Sequence, residues 1–372
     1  KYSIFQSYDL VTEMGRHYVE VGVKILKFKN LGPQRVHMTT QALSSVAAFH
    51  GLFRCPILAS PAIPDAKRCE LRVSLIREEL QELEDAIAAN DIVEIADALA
   101  DIQYVLSGAV HEFGMGSRFK ALFDEVQRSN MSKACTTLEE AEATVKHYAE
   151  NKGMPGSYEE VDGQWLVYRD GDRKVLKSVA YSAVDFTPIL AASPALDTVP
   201  AAGPYKEPDC LAAVAAFHTL FRAPILEVPT IPDAKRCALR VSLIREETNE
   251  LAEAIAANDI VEIADALADI QYVLSGAVLE FGMGSRFKAL FDEVQRSNMS
   301  KACTSPEEAE ATVLHYTTYQ GGCASSFEEV DGPLWLVFRD GDRKVLKSVG
   351  YSAASLAPIL EIDAENAVPA AN

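Results

Sequence analysis

Glu78, Glu79 and Glu82 in the stretch EELQE, and Glu94, Asp97 and Asp101 in EIADALAD, set six carboxylates at helical spacing. Residues three and four apart share a helix face, so each stretch presents its acids on one side. Only AAND separates the two predicted helices, which should therefore pack antiparallel and bring their acidic faces together. Carboxylates at that density repel strongly at low effective dielectric, and a cation is expected among them. Hard oxygen donors favour Mg2+, with Mn2+ as the alternative, over zinc, which prefers His and Cys. Magnesium points to a phosphate-bearing substrate, one ion activating water while another stabilises charge on the phosphoryl oxygens. The competing reading is a plain solvated helix face, the usual meaning of acids at such spacing.

The pattern returns 168 residues later as Glu246, Glu247, Glu250, Glu262, Asp265 and Asp269. Leu80, Gln81 and Glu84 give way to Thr248, Asn249 and Ala252, while all three glutamates of the first group persist. AAFHGLFRCPIL at Ala47 matches AAFHTLFRAPIL at Ala215, and a two-residue insertion later pairs Trp165 with Trp335. Residues 46–190 and 214–360 are two copies of one unit. The chain divides into an arm (1–40), a first repeat (41–190), a Pro/Ala-rich linker (191–209), a second repeat (210–360) and a tail (361–372). The repeat is too long for a solenoid and predicts a pseudo-symmetric pair, alone or joined to another copy of the chain.

Each unit reads as helical and then β. A short helix around SVAAFHGLF precedes a long one that starts at Pro64 and Asp65 and stops at Asn90, with Leu71, Leu75, Leu83 and Ile87 at helical spacing. The next uses Asp91 as N-cap, carries Ile92, Ile95, Leu99, Ile102, Val105 and Leu106, and ends at Gly114. SRFKALFDEVQRS and LEEAEATVKHYAEN are two more, and WLVYRDGDRKVLKSV is a hairpin turning at Asp170-Gly171-Asp172. The expected fold is mainly α, a tandem of two helical-bundle domains with a small C-terminal β-hairpin each.

The formal charge of −19 argues against a nucleic-acid binder. Residues 1–40 carry six basic residues (Lys1, Arg16, Lys24, Lys27, Lys29, Arg35) against Asp9, Glu13 and Glu20, a net of +3 that leaves −22 for the rest. Leu10, Met14, Tyr18, Val21, Ile25 and Phe28 give this arm an amphipathic helical face that packs on its own body or on another protein. Seven cysteines without a CxxC pair fit free thiols in a reducing intracellular compartment, cytoplasm or organelle matrix. No apolar run is long enough to span a bilayer. The chain begins at Lys1, which leaves room for a removed targeting peptide.

Glu78-Glu79-x-x-Glu82 followed by Glu94-x-x-Asp97 resembles the EExxE…ExxD signature of the all-α NTP pyrophosphohydrolase superfamily. ADALADIQYVLSG and EVQRSNMSK are similar to its phosphoribosyl-ATP pyrophosphohydrolase-like branch, beside the MazG-like proteins. The resemblance covers about Ser45 to Leu190 and Ala213 to Leu360, not the arm, linker or tail. It implies Mg2+-dependent release of pyrophosphate from a nucleotide by water attack at the α-phosphorus. It implies Glu79, Glu82, Glu94 and Asp97 as metal ligands, Glu78 as an auxiliary acid or water-orienting base, and Asp101 as a further ligand or a group that orients the ligands. Asn130 and Lys133 would face phosphates or sugar. In the second copy the matching residues are Glu246, Glu247, Glu250, Glu262, Asp265, Asp269, Asn298 and Lys301, with no acid lost. His50 and His218 read as structural histidines or base contacts. Arg72, Arg77, Arg240 and Arg245 could neutralise phosphate or pair with nearby glutamates. Arg68 and Lys67 read as solvated, and Trp165 and Trp335 as hairpin anchors. The competing class is a non-catalytic accessory subunit that reuses this fold and docks through the arm.

Overall fold

The computed structural model describes residues 39–191, 205–318, 322–330 and 332–361. The arm, the central linker and the tail beyond residue 361 lie outside the described residues, apart from 39–40, 191 and 205–209. The first repeat runs α1 (Ala42–Leu52), α2 (Ala66–Ala89), α3 (Ile92–Glu112), α4 (Phe119–Met131), α5 (Leu138–Lys152), β1 (Gly156–Val161), β2 (Gln164–Arg169), β3 (Val175–Leu176) and a single turn, α6 (Thr187–Leu190). The second runs α7 (Cys210–Phe221), α8 (Ala234–Ala256), α9 (Ile260–Glu280), α10 (Phe287–Met299), α11 (Pro306–Thr318), β4 (Ser325–Val330), β5 (Leu334–Arg339) and β6 (Val345–Leu346).

The caps explain the sharp boundaries. Asp65 accepts from the Lys67 and Arg68 amides to open α2, Asn90 closes it in the left-handed conformation, and Asp91 opens α3 one residue later. Gly114 ends α3 at φ +69°, where a Cβ would strike the Ser60 carbonyl, so glycine is required there. The buried stripe of α2 is Cys69, Val73, Ile76, Leu80 and Leu83. Leu71 lies off that stripe and is exposed, because the face touching α3 follows a slightly different phase from the leucine spacing. Each β appendage is a three-stranded antiparallel sheet rather than a lone hairpin. β1 and β2 meet at Asp162-Gly163, whose φ values of +49° and +82° fit a tight hairpin turn.

The two repeats do not fold side by side. α4 packs on α9 and α7 of the second repeat, and α10 packs on α3 and α1 of the first. Each sheet follows: Leu166 and Tyr168 pack with Leu220, and Leu336 and Phe338 with Leu52 and Phe53. On the pseudo-twofold axis the buried Gln103 and Gln271 side chains exchange two amide hydrogen bonds of 2.8 Å. Tyr104 donates to Gln295 Oε1 at 2.8 Å while Gln295 Nε2 donates to the Ser45 carbonyl at 3.0 Å, which pins α10 onto the first repeat. Tyr272, Gln127 and Ala213 repeat the relay on the other side.

Each α2/α3-type pair is closed by a buried ionic clamp. Arg68 Nε donates to Glu112 Oε2 at 2.9 Å and Arg72 pairs with Glu112 Oε1; Arg236, Arg240 and Glu280 do the same. These arginines therefore neither face phosphate nor pair along their own helix, and Arg68 is not simply solvated. Arg77 instead donates to Asn249 Oδ1, and Arg245 pairs with Glu84. His50 Nδ1 lies 2.9 Å from the Pro56 carbonyl, which only a protonated Nδ1 can satisfy, and leaves Nε2 to accept from Arg72. Burial, then the arginine charge, hold His50 neutral with its pKa pushed down to about 4. His218 is placed identically, so both are structural. Trp165 and Trp335 pair through their backbones with Cys135 and Cys303, anchoring each sheet to the end of α4 or α10.

Glu280→Gln leaves two buried guanidiniums short of a counter-charge and should destabilise the chain by about 3–5 kcal/mol in a denaturant titration. A neutral result would show that the clamp holds nothing.

Candidate active site

Among the described residues all six acids of each repeat keep helical register on facing helices: Glu78, Glu79 and Glu82 on α2 against Glu94, Asp97 and Asp101 on α3. α2 and α3 pack closely over their length, so the short AAND connection does bring the acidic faces together. Their charges act on one another. Burial, then Asp101, Glu82, Glu78 and Asp97, push Glu79 up to about 8. Burial with Asp97 and Glu82 raises Asp101 to about 7, and burial with Glu94 and Glu82 raises Asp97 to about 6. Glu82 is shifted upward by burial and by Glu78 and Glu94.

The second repeat is tighter. Glu247 is 2% exposed, and burial, then Asp269, Glu250, Glu246 and Asp265, push it up to about 10. Asp269 rises for the same reasons, with Asp265 and Glu250 as its acidic neighbours. Glu250 is raised by burial and by Glu246 and Asp265, while Glu262 sits in the first turn of α9 on the acidic face. Glu79, Asp97 and Asp101 are half-buried while Glu78, Glu82 and Glu94 face solvent, and in the second repeat Glu247 is buried among half-buried acids.

The cationic half of each site comes from the other repeat. Lys301, at the end of α10, is lowered by burial and by Lys347, and Asp101 and Glu79 of the first repeat oppose that. Lys133 faces Asp269 of the second repeat, and burial with Lys177 pushes it down to about 7. Sequence order would give Asn130 and Lys133 to the first acid cluster; the exchange of α4 and α10 gives them to the second. The lysines are oriented locally, Lys301 Nζ donating to Asn298 Oδ1 at 2.6 Å and Lys133 likewise to Asn130. The buried Asn130 thus spends its carbonyl oxygen on lysine, and its Nδ2 is left without a partner.

One further lysine per site went unread in the sequence. Lys177 stands beside Lys133 with its ammonium 4.2 Å from the Tyr181 ring centroid, and Lys347 stands beside Lys301 over Tyr351 at 4.3 Å. The signal available was KVLKSV, present in both copies and free of acids.

The donor set suits a hard divalent cation, since these are carboxylate oxygens whose mutual repulsion a positive ion between them would relieve. Among the described residues no three acidic, imidazole or thiol groups converge tightly enough to hold an ion as they stand.

The model of the family described as phosphoribosyl-ATP pyrophosphohydrolase matches residues 46–130 and again 214–298, which contain every acid above and both asparagines. The chain carries two tandem domains of this family, within the MazG-like all-α NTP pyrophosphohydrolase superfamily. A protein of Acanthamoeba polyphaga mimivirus, Uncharacterized protein L479, is 24% identical over 301 residues, 78% of this chain and 83% of that one. No solved structure matches the chain. The family regions end at Asn130 and Asn298, so Lys133, Lys301 and the second lysines lie beyond them. Among the described residues no helix is long and apolar enough to cross a membrane.

A raised carboxyl pKa means that the folded state holds a proton the unfolded chain releases, so stability present at low pH is lost as pH rises toward the folded value. In EDTA at pH 8, Glu247→Gln should raise the melting temperature by a few degrees, and the gain should shrink at pH 5. A lower melting temperature at pH 8 would refute the repulsion.

Proposed function

We propose that the chain is a Mg2+-dependent nucleotide pyrophosphohydrolase that cleaves a nucleoside triphosphate or related nucleotide to the monophosphate and pyrophosphate. The observation that carries this reading is the juxtaposition of a carboxylate cluster with a buried lysine and asparagine delivered from the opposite repeat. Glu79, Glu82, Glu94 and Asp97, with Asp101 as a further ligand, would hold the metal in one site, and Glu247, Glu250, Glu262, Asp265 and Asp269 in the other. When bound, the ion supplies a polarised phosphoryl group and a more acidic water. Glu78 and Glu246, at the edge of each cluster, orient the attacking water and take its proton at a carboxylate oxygen. Lys301 and Lys133 place an ammonium where negative charge grows on the departing pyrophosphate. Asn298 and Asn130 orient that ammonium and offer an amide to a phosphate or sugar oxygen. Both sites keep the full set, so one chain contains two.

The test is a nucleoside triphosphate panel with Mg2+, scored for pyrophosphate against orthophosphate. Glu79→Gln combined with Glu247→Gln should abolish pyrophosphate release; undiminished turnover in that double variant rejects the assignment. Mg2+ binding without turnover on any nucleotide would favour the non-catalytic accessory reading.

The exchanged pairing gives a sharper outcome. In a Glu79→Gln background, Lys301→Met should change turnover little, because both residues serve one site. Lys133→Met in the same background should remove the remaining turnover, because it disables the other. The reverse ranking would mean that each repeat works with its own lysine.

A further inference from the structure

Lys177 and Lys347 lie outside the matched family regions, yet each is held beside the site lysine. The Ser178 amide donates to the Lys133 carbonyl at 3.1 Å, and the Ser348 amide to the Lys301 carbonyl at 3.1 Å. The segment bearing each second lysine is thus bonded to the backbone of the first. The ammoniums rest against Tyr181 and Tyr351, whose hydroxyls meet Ser129 Oγ at 3.2 Å and Ser297 Oγ at 3.3 Å. A tyrosine face holds a cation without neutralising it. Among the described residues neither Lys177 nor Lys347 has an ion-pair partner, in a chain whose net charge is −19. Asn130 is 5% exposed and keeps an unspent Nδ2 donor beside Lys133. Lys177, Lys347 and the Asn130 Nδ2 are thus donors whose capacity a ligand can use, set beside lysines that already face the acids of the opposite repeat.

We propose that Lys133, Asn130 and Lys177 form a two-cation seat for a pyrophosphoryl group facing the acids of the second repeat, and that Lys301, Asn298 and Lys347 form its counterpart facing the first. Pyrophosphate carries more negative charge than orthophosphate and has terminal oxygens on two phosphorus centres, so it can meet both ammoniums and still present oxygens toward the facing acids and their cation. The identity of that group as the two terminal phosphates of a nucleotide rests on the pyrophosphohydrolase reading above. The seat itself rests on the lysine geometry.

The experiment is calorimetric titration of the full chain with inorganic pyrophosphate in saturating Mg2+, alongside orthophosphate and Mg2+ alone. Lys177→Met with Lys347→Met should weaken pyrophosphate binding about tenfold or more, the loss expected for one charge-assisted contact per site. Lys→Arg at both positions should restore much of it, and the response to Mg2+ alone should not change. For nucleotide turnover KM should rise more than kcat falls. Lys347 is exposed, so Lys347→Met alone keeps the fold and should weaken one of the two sites while leaving the other as it is. Unchanged pyrophosphate affinity in the folded Met variants, or equal affinity of the parent chain for orthophosphate and pyrophosphate, overturns the seat. Turnover with unaltered KM in those variants would remove the seat and leave the activity standing. Lysine-dependent pyrophosphate binding by a chain that cleaves no nucleotide would do the opposite.

Discussion

The helix pair α2/α3 attracts itself at one end and repels itself at the other. Near the start of α2, Arg68 and Arg72 clasp Glu112 at the end of α3, in a setting where the acid is fully buried. Two to four turns further along, Glu79 and Glu82 face Asp97 and Asp101, and the electrostatics reverse sign. An ion pair sequestered from water is a poor net source of stability, but breaking one is expensive. Its value here is positional: it fixes the register and spacing at which the acids must meet. Without the clamp the acidic ends could relieve their repulsion by splaying. With it, they can be relieved only by protons or by a cation.

The exchange of α4 and α10 follows from the same need. The acids of a repeat sit on a face that its own next helix does not cover, and the lysine that approaches them arrives on the helix from the other repeat. That helix is positioned by polar groups with no tolerance for slippage. Gln295 is held between the Tyr104 hydroxyl and the Ser45 carbonyl, and Gln127 between Tyr272 and Ala213. Around the axis, Gln103 and Gln271 satisfy each other in a way open only to identical side chains at equivalent positions. A buried amide that loses its partner is heavily penalised, so these contacts specify one mutual arrangement of the repeats. The catalytic geometry proposed above is therefore a property of the pair.

Much of this was legible in the sequence, for reasons particular to certain residues. Asp65, Asn90, Asp91 and Gly114 fixed the helix ends because capping is local chemistry. The acid spacing was legible because helical periodicity is local too. Glu112 was silent because its partners are 40 and 44 residues away and no local pattern reveals which arginine reaches it. Leu71 misled because leucine spacing resembled a core stripe while the packed face ran through Cys69, Val73 and Ile76. Asp162-Gly163 carried a readable turn signal for β1, but the strand before it is largely exposed and lacks an apolar alternation. The partner of Lys133 could not be read at all: two nearly identical repeats make the self-pairing and the exchanged pairing indistinguishable in one dimension.

A fused pair can differ where a homodimer cannot, and here the difference begins at the linker. One linker serves two repeats, so it must land asymmetrically. Glu207 accepts from the Leu43 and Ser44 amides and from Ser44 Oγ, adding a negative charge at the start of α1. Its equivalent helix, α7, has no side-chain cap at Asp209. Tyr205 lies 4.8 Å from the His111 ring, and His111 is the position where the second repeat has Leu279. His111 Nε2 meets the Leu43 carbonyl at 2.8 Å, so this histidine and Glu207 grip the same turn of α1 from two sides. That turn is where Gln295 holds α10, the helix that delivers Lys301. The linker therefore bears on the site built from the first repeat's acids, whose Glu79 and Lys301 are only half-buried. At the opposite site, with Glu247 and Lys133 almost wholly enclosed, the Gln127 relay holds α4, and the start of α7 has no side-chain cap to match Glu207. Two sites with the same residues thus differ in how they are held, and the difference traces to the single segment that the pseudo-symmetry cannot duplicate.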